Sequence, residues 1–205
     1  MSQAYNNKET NTLFPVFLKM ENLSVLIVGG GKIGLEKLSA ILSNSPQTKI
    51  RLVSITICEE VRTLAAGHPN IELKERVFLP LDLDGRDVVI VAIDDKNESK
   101  RIRDVAKDKK KLVNVADKPE LCDFYMGSIV KKGNLKIAIS TNGKSPTIAK
   151  RLKELFNDLL PEEIDELLDN MQQVRSKLKG DFANKVDQLN SITKDFVLNK
   201  ETGDS

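Results

Sequence analysis

Gly29, Gly31 and Gly34 stand at G-x-G-x-x-G spacing inside VLIVGGGKIGLEKLSAIL, residues 25–42. Four apolar residues run into the glycines and an amphipathic segment follows, so the turn falls between a strand and a helix. In that setting the first glycine permits a tight turn, the second lets backbone approach a pyrophosphate, and the third lets helix pack on strand. The helix N-terminus then offers N–H donors and a positive dipole end to phosphate oxygens. The chemistry served is the holding of a dinucleotide. An acid for the ribose hydroxyls is expected about 20 residues further on. The second strand candidate instead ends Leu52-Val53-Ser54-Ile55-Thr56, with no Asp or Glu before Glu59. Ser54 or Thr56 is the expected ribose contact. No acid there repels a 2′-phosphate and no arginine directly follows to bind one, a balance that favours NAD over NADP.

The elements that must position this turn alternate from Leu23 to about Ala116. SVLIVGG reads as a strand covered on both faces, and Leu35, Leu38, Ile41 and Leu42 recur at helical spacing. KIRLVSI, IELKERVF, DVVIVAI and KLVNVA are further strand candidates. EEVRTLAAG and KRIRDVAKD are the helices between them, the second opened by a capping box of Asp95 and Glu98. Repeated strand–helix units imply an α/β fold with a Rossmann-type parallel sheet. After Asp117 the character changes. FYMGSIV and LKIAIS, joined by Lys131-Lys132-Gly133-Asn134, read as a hairpin. Ser145-Pro146 opens a helix with Ile148, Leu152, Leu155 and Leu159 on one face, and helical segments around EEIDELLDNMQQVRSKL and DFANKVDQLNSITKDFVL follow. The expected organisation is a disordered lead-in over 1–12, a nucleotide domain over 13–116, a small β dimerisation and active-site segment over 117–145, and a helical domain over 146–205. Two strands alone do not stand in water, so pairing with another chain is expected.

Composition narrows the function classes. A formal charge of +2 in 205 residues leaves no bulk footprint for nucleic acid or a membrane surface. No apolar run reaches the ~18–20 residues of a membrane span, and the polar N-terminus lacks an export signal. Cys58, Cys122 and the single histidine, His68, have no metal-ligand spacing. These features point to a cytoplasmic protein with free thiols, both cysteines serving as small buried apolar residues, and with no resident metal.

FPVFLKMENLSVLIVGGGKIG, VAIDDK and VNVADKPELCDFYMGSIVKKGNLKIAISTNGKSPTIAKRLKE together resemble the siroheme synthase dehydrogenase/ferrochelatase family. The resemblance runs from about Leu13 to Leu160, and the pairing of N-V-x-D-x-P with a later G-x-S-P carries its specificity. Family members are precorrin-2 dehydrogenases, many of which also insert ferrous iron into sirohydrochlorin. The resemblance implies a catalytic role for Asp117 in both activities. It implies NAD contacts from Gly29, Gly30, Gly31, Lys32, Ile33 and Gly34, from Ser54 and Thr56, from Ala92, Ile93 and Asp94, and from Asn114. It places Ser128 in the tetrapyrrole site and implies a homodimer that exchanges the small strands. Ile93 stands where the family commonly has a hydroxyl, and Gly127 where many members have proline.

The residues bear on that chemistry directly. Asp117 follows an apolar run, so it emerges at the carboxyl edge of the sheet beside the glycine turn. There it serves either as a general base or as the cap of a turn before Pro119. Precorrin-2 is a polycarboxylate, and Lys118, Lys131, Lys132, Lys144, Lys150 and Arg151 form a cationic set that either answers its carboxylates or is a solvated face. Asn142, Gly143, Lys144 and Ser145, at a helix start, either bind one carboxylate or form a plain cap. Two rivals stay open: a dehydrogenase without chelatase activity, and a non-catalytic NAD-sensing dimeric module. The Tyr-x-x-x-Lys pair of short-chain ketoreductases is not present, since Ile129 stands four residues after Tyr125.

Overall fold

The structure is a computed structural model that describes residues 11–177, 184 and 186–191. Residues 1–10 of the expected lead-in lie outside the described residues, and Asn11 and Thr12 are exposed without regular structure. Most of the third C-terminal helical segment also lies outside them, although 186–191 are helical.

The chain divides into two compact units, 1–126 and 127–205. In the first, strands β1 (Ser24–Gly30), β2 (Lys49–Ile57), β3 (Ile71–Glu75), β4 (Val88–Val91) and β5 (Leu112–Val115) alternate with helices α1 (Lys32–Asn44), α2 (Glu59–Ala66) and α3 (Lys96–Asp108). The sheet is parallel throughout with order β3-β2-β1-β4-β5. β1 sits at its centre with β4 beside it, and the apolar runs of both are buried on both faces as a sheet covered on each side requires. Alternate residues feed two cores. Val25, Ile27, Leu52, Val88 and Ile90 pack with Leu38 and Ile41 of α1 and Val61 of α2. Leu26, Val28, Val53, Val89 and Val113 pack with Ile102 and Ala106 of α3.

β2 runs two residues beyond KIRLVSI, to Ile57, while β3 stops at Glu75, well short of Phe78. The strand ends where Arg76 turns inward to a fully buried Asp82, which accepts from Arg76 Nη1 and Nη2 at 2.8 and 2.6 Å and from the Leu79 N–H at 2.9 Å. Asp95 caps α3 by accepting from Glu98 N–H at 2.9 Å, but the Glu98 carboxylate turns to Arg101 at 2.7 Å, so the expected capping box is half formed.

In the second unit, β6 (Ser128–Lys132) and β7 (Leu135–Ile139) pair antiparallel and are followed by α4 (Pro146–Leu159) and α5 (Ile164–Lys177). The connecting turn is only Gly133-Asn134, because Lys131 and Lys132 belong to the strand. Gly133 has φ +51, the left-handed conformation that a two-residue hairpin loop demands. Asp165, in the first turn of α5, accepts from both Asn134 N–H (2.7 Å) and Asn134 Nδ2 (2.9 Å) and so fastens the hairpin tip. Among the described residues no helix is long and apolar enough to cross a membrane.

Candidate active site

The glycine turn closes β1 and opens α1 at the carboxyl edge of the sheet. Gly29 has φ +120, and a Cβ there would lie 2.2 Å from Ala92 O. A Cβ on Gly34 would lie 2.1 Å from Gly29 O, so helix and strand touch through bare backbone. Gly31 is different: among the described residues nothing approaches within 4 Å of where its Cβ would sit. It is the exposed N-cap of α1, and among the described residues no side chain caps the first-turn N–H groups behind it. That first turn carries no acid and begins with Lys32, the reverse of what the helix dipole prefers by itself. Open space, uncapped donors and a cation together suit an anionic group, and a dinucleotide pyrophosphate fits them.

Beside this turn, Cys58 N–H bonds Gly30 O at 2.9 Å and ties the end of β2 to it. Ser54 is half-buried there and Thr56 exposed. Acids that sequence spacing had not assigned to this rim also reach it. Glu75 at the end of β3 accepts from Ile57 N–H at 3.2 Å and pairs with Arg62 at 2.6 Å. Glu60 stands in the first turn of α2, where its own backbone N–H, the Cys58 side chain and nearby Lys32 hold its carboxyl below the usual range. The signal was present as the pair Glu59-Glu60, displaced from the strand end into the next helix.

On the other side of β1, Ala92 is buried and Ile93 half-buried in the loop after β4, while Asp94 is exposed. Asp117 follows β5 and is exposed, with φ +58. Aspartate is among the few residues that occupy this left-handed region readily. β5 lies two strands from β1, so Asp117 and the glycine turn share one edge at a spacing of about 10 Å.

The residues around Asp117 are braced. Cys122 Sγ accepts from Val115 N–H and lies against Val115 O, both at 3.2 Å, and reaches Lys118 O at 3.3 Å. This thiol is half-buried and hydrogen-bonded, not the apolar filler expected of it, and burial pushes it up from its ordinary value. Asn114 is buried, and its Nδ2 donates to Phe124 O at 2.8 Å.

The remaining candidates belong to the second unit. Ser128 opens β6, half-buried, opposite Ile139. A Cβ on Gly127 would lie 2.6 Å from Ile139 O, so the glycine there lets β7 come close. Lys131 is exposed opposite Lys136, and Lys132 pairs with Glu162. Asn142 (φ +54) and Gly143 (φ +76) form a left-handed turn closed by Lys144 N–H to Thr141 O at 3.1 Å. Ser145 then accepts from Ile148 N–H at 3.2 Å and caps α4. Among the described residues no group of three or more His, Cys, Asp or Glu is arranged to hold a metal ion.

A family described as NAD(P)-binding matches residues 16–128, and one described as sirohaem biosynthesis protein central matches 132–159. The chain is 32% identical over 167 residues to the siroheme synthase of Thioalkalivibrio sulfidiphilus, covering 82% of this chain and 34% of that protein. It is 31% identical over 180 residues to a siroheme biosynthesis protein of Schizosaccharomyces pombe, covering 87% and 68%. The chain spans about a third of the length of the siroheme synthases it matches. A solved structure described as SirC, precorrin-2 dehydrogenase shares the fold with a TM-score of 0.70 at 24% identity, over 92% of this chain and 93% of that one. The glycine turn and the segment after β5 thus sit in a chain that belongs to the siroheme synthase N-terminal family, with an NAD(P)-binding domain followed by the sirohaem synthase central domain.

Proposed function

We propose that the chain oxidises precorrin-2 to sirohydrochlorin with NAD, as a homodimer. The observation that carries this is Asp117, exposed on the same sheet edge as an uncapped glycine turn in a chain of this family. Residues 13–116 are assigned as the nucleotide domain, 117–145 as the active-site and dimer segment, and 146–205 as the helical domain.

Bound at the glycine turn, the dinucleotide supplies the hydride acceptor. The oxidation removes two hydrogens, and Asp117 takes the second as a proton at its carboxylate. N–H groups at Gly31, Lys32, Ile33 and Gly34 hold the pyrophosphate, with Gly29 and Gly30 shaping the turn. Ser54 and Thr56 meet the ribose. Ala92, Ile93, Asp94 and Asn114 form the wall toward Asp117, Asn114 through backbone because its side-chain amide is committed to Phe124 O. Glu60, ionised and close to Lys32, disfavours a 2′-phosphate, which supports NAD over NADP. Ser128, Lys131, Asn142, Gly143, Lys144 and Ser145 are assigned to the carboxylated macrocycle, Ser145 as the α4 cap that orders Asn142, Gly143 and Lys144.

Ferrous iron insertion is the second proposed activity, with iron as a substrate and Asp117 accepting pyrrole protons as the macrocycle is metallated. The test is nicotinamide reduction in the presence of precorrin-2, followed by iron insertion, for wild type, Asp117→Asn and Asp117→Ala. Both variants are expected to lose oxidation by about 10²–10⁴-fold while still binding NAD. Binding without turnover in wild type would mean a nucleotide sensor, and oxidation without metallation a dehydrogenase alone.

A further inference from the structure

We propose that Lys118 is a positioning residue that transmits cofactor binding at the glycine turn to the segment carrying Asp117; this rests on the dinucleotide reading above. The Lys118 ammonium lies 3.3 Å from Ser99 Oγ and 3.5 Å from Ile93 O. Ser99 is fully buried, and its hydroxyl also bonds Asp95 O at 2.6 Å. Lys118 therefore reaches from the turn after β5 into the loop after β4 and the start of α3. Its partners there are neutral oxygens, and among the described residues it makes no ion pair.

The loop it grips is the one that Gly29 touches. A Cβ at Gly29 would meet Ala92 O at 2.2 Å and Ile93 Cγ2 at 3.2 Å, so no slack exists between the glycine turn and Ala92–Ile93. Packing this tight moves as a block. The strand ladders also connect these parts, through Ala92 N–H to Val28 O at 2.7 Å and Ala116 N–H to Val91 O at 2.9 Å. They end there, before Asp117. Beyond them Lys118 supplies the bridge, and Cys122 Sγ ties Lys118 O back to Val115, so a pull on Lys118 acts on a braced turn. Hydrogen exchange with and without saturating NAD measures this coupling without needing substrate. In wild type NAD is expected to slow exchange in peptides covering Gly29–Gly34 and, by about tenfold, in peptides covering Asn114–Cys122. In Lys118→Met the first protection persists and the second is lost, while Lys118→Arg retains both. In turnover, Lys118→Met is expected to lower kcat about tenfold at nearly unchanged KM for NAD, with recovery in Lys118→Arg. Lys118→Gln repeats both measurements should Lys118→Met not fold. Protection of Asn114–Cys122 that survives in Lys118→Met, or that is missing in wild type while Gly29–Gly34 is protected, overturns the proposal. Protection of neither segment in wild type overturns the dinucleotide reading itself.

Discussion

At the scale of single residues, Asp117 joins two demands: a carboxylate at the sheet edge and a backbone held at φ +58. Asparagine meets the second demand without the first, whereas alanine meets neither. Asp117→Ala is therefore expected to unfold in urea about 1 kcal/mol more easily than Asp117→Asn, although both lose activity alike. Equal stabilities would show that the left-handed turn places no constraint on residue type. Much of this edge was legible from the residues, since a motif and an apolar run suffice to place Gly29 and Asp117. Lys118 and Cys122 were not legible. Their partners, Ile93 and Ser99 for one and Val115 for the other, become neighbours only when two loops fold over the strand ends.

At the scale of elements, the strands were readable because a buried parallel strand is a continuous apolar run, while its ends were not. β3 was overestimated because Val77 and Phe78 are strand-favouring residues directly after it, and nothing local announces that Arg76 will pair with Asp82 six residues later. Burial pushes the Asp82 carboxyl upward, but the Arg76 hydrogen bonds, the Leu79 N–H and Arg51 at 3.8 Å carry it below its ordinary value. With the folded value below the unfolded one, this stabilisation is present above about pH 4 and lost as pH falls through the folded value. Asp82→Asn is expected to cost about 3 kcal/mol near pH 7 by urea unfolding, and the gap to wild type should narrow below about pH 4. A gap that stays constant with pH would exclude an ionised Asp82 as its source.

At the scale of the whole molecule, the second unit offers a two-stranded sheet, which is marginal alone, and a helix whose apolar stripe is only partly covered. Ile148, Leu155 and Leu159 of α4 are 52%, 56% and 69% exposed, although their spacing marks them as one face. The proposed homodimer uses this unit. Sedimentation should give a particle of twice the 22.9 kDa chain mass. Leu159→Lys should shift it toward the single chain at little cost in folding, within about 0.5 kcal/mol for an exposed site. A wild-type particle of one chain mass would refute the dimer. The hairpin itself was legible because its turn and alternation are local, but it does not stand alone: α4 packs on its strands, and the fastening of its tip by Asp165 joins positions 31 residues apart.

The void above Gly31 sets that position apart from its neighbours. At Gly29 and Gly34 a methyl group would collide with the protein's own backbone, so folding itself forbids the change. At Gly31 nothing among the described residues objects, and a guest molecule is what would register the intrusion. Gly31→Ala should therefore melt like wild type yet bind NAD at least about tenfold more weakly, whereas Gly34→Ala should lose about 1–3 kcal/mol of stability to overpacking. One position answers to the visitor and the other to the host.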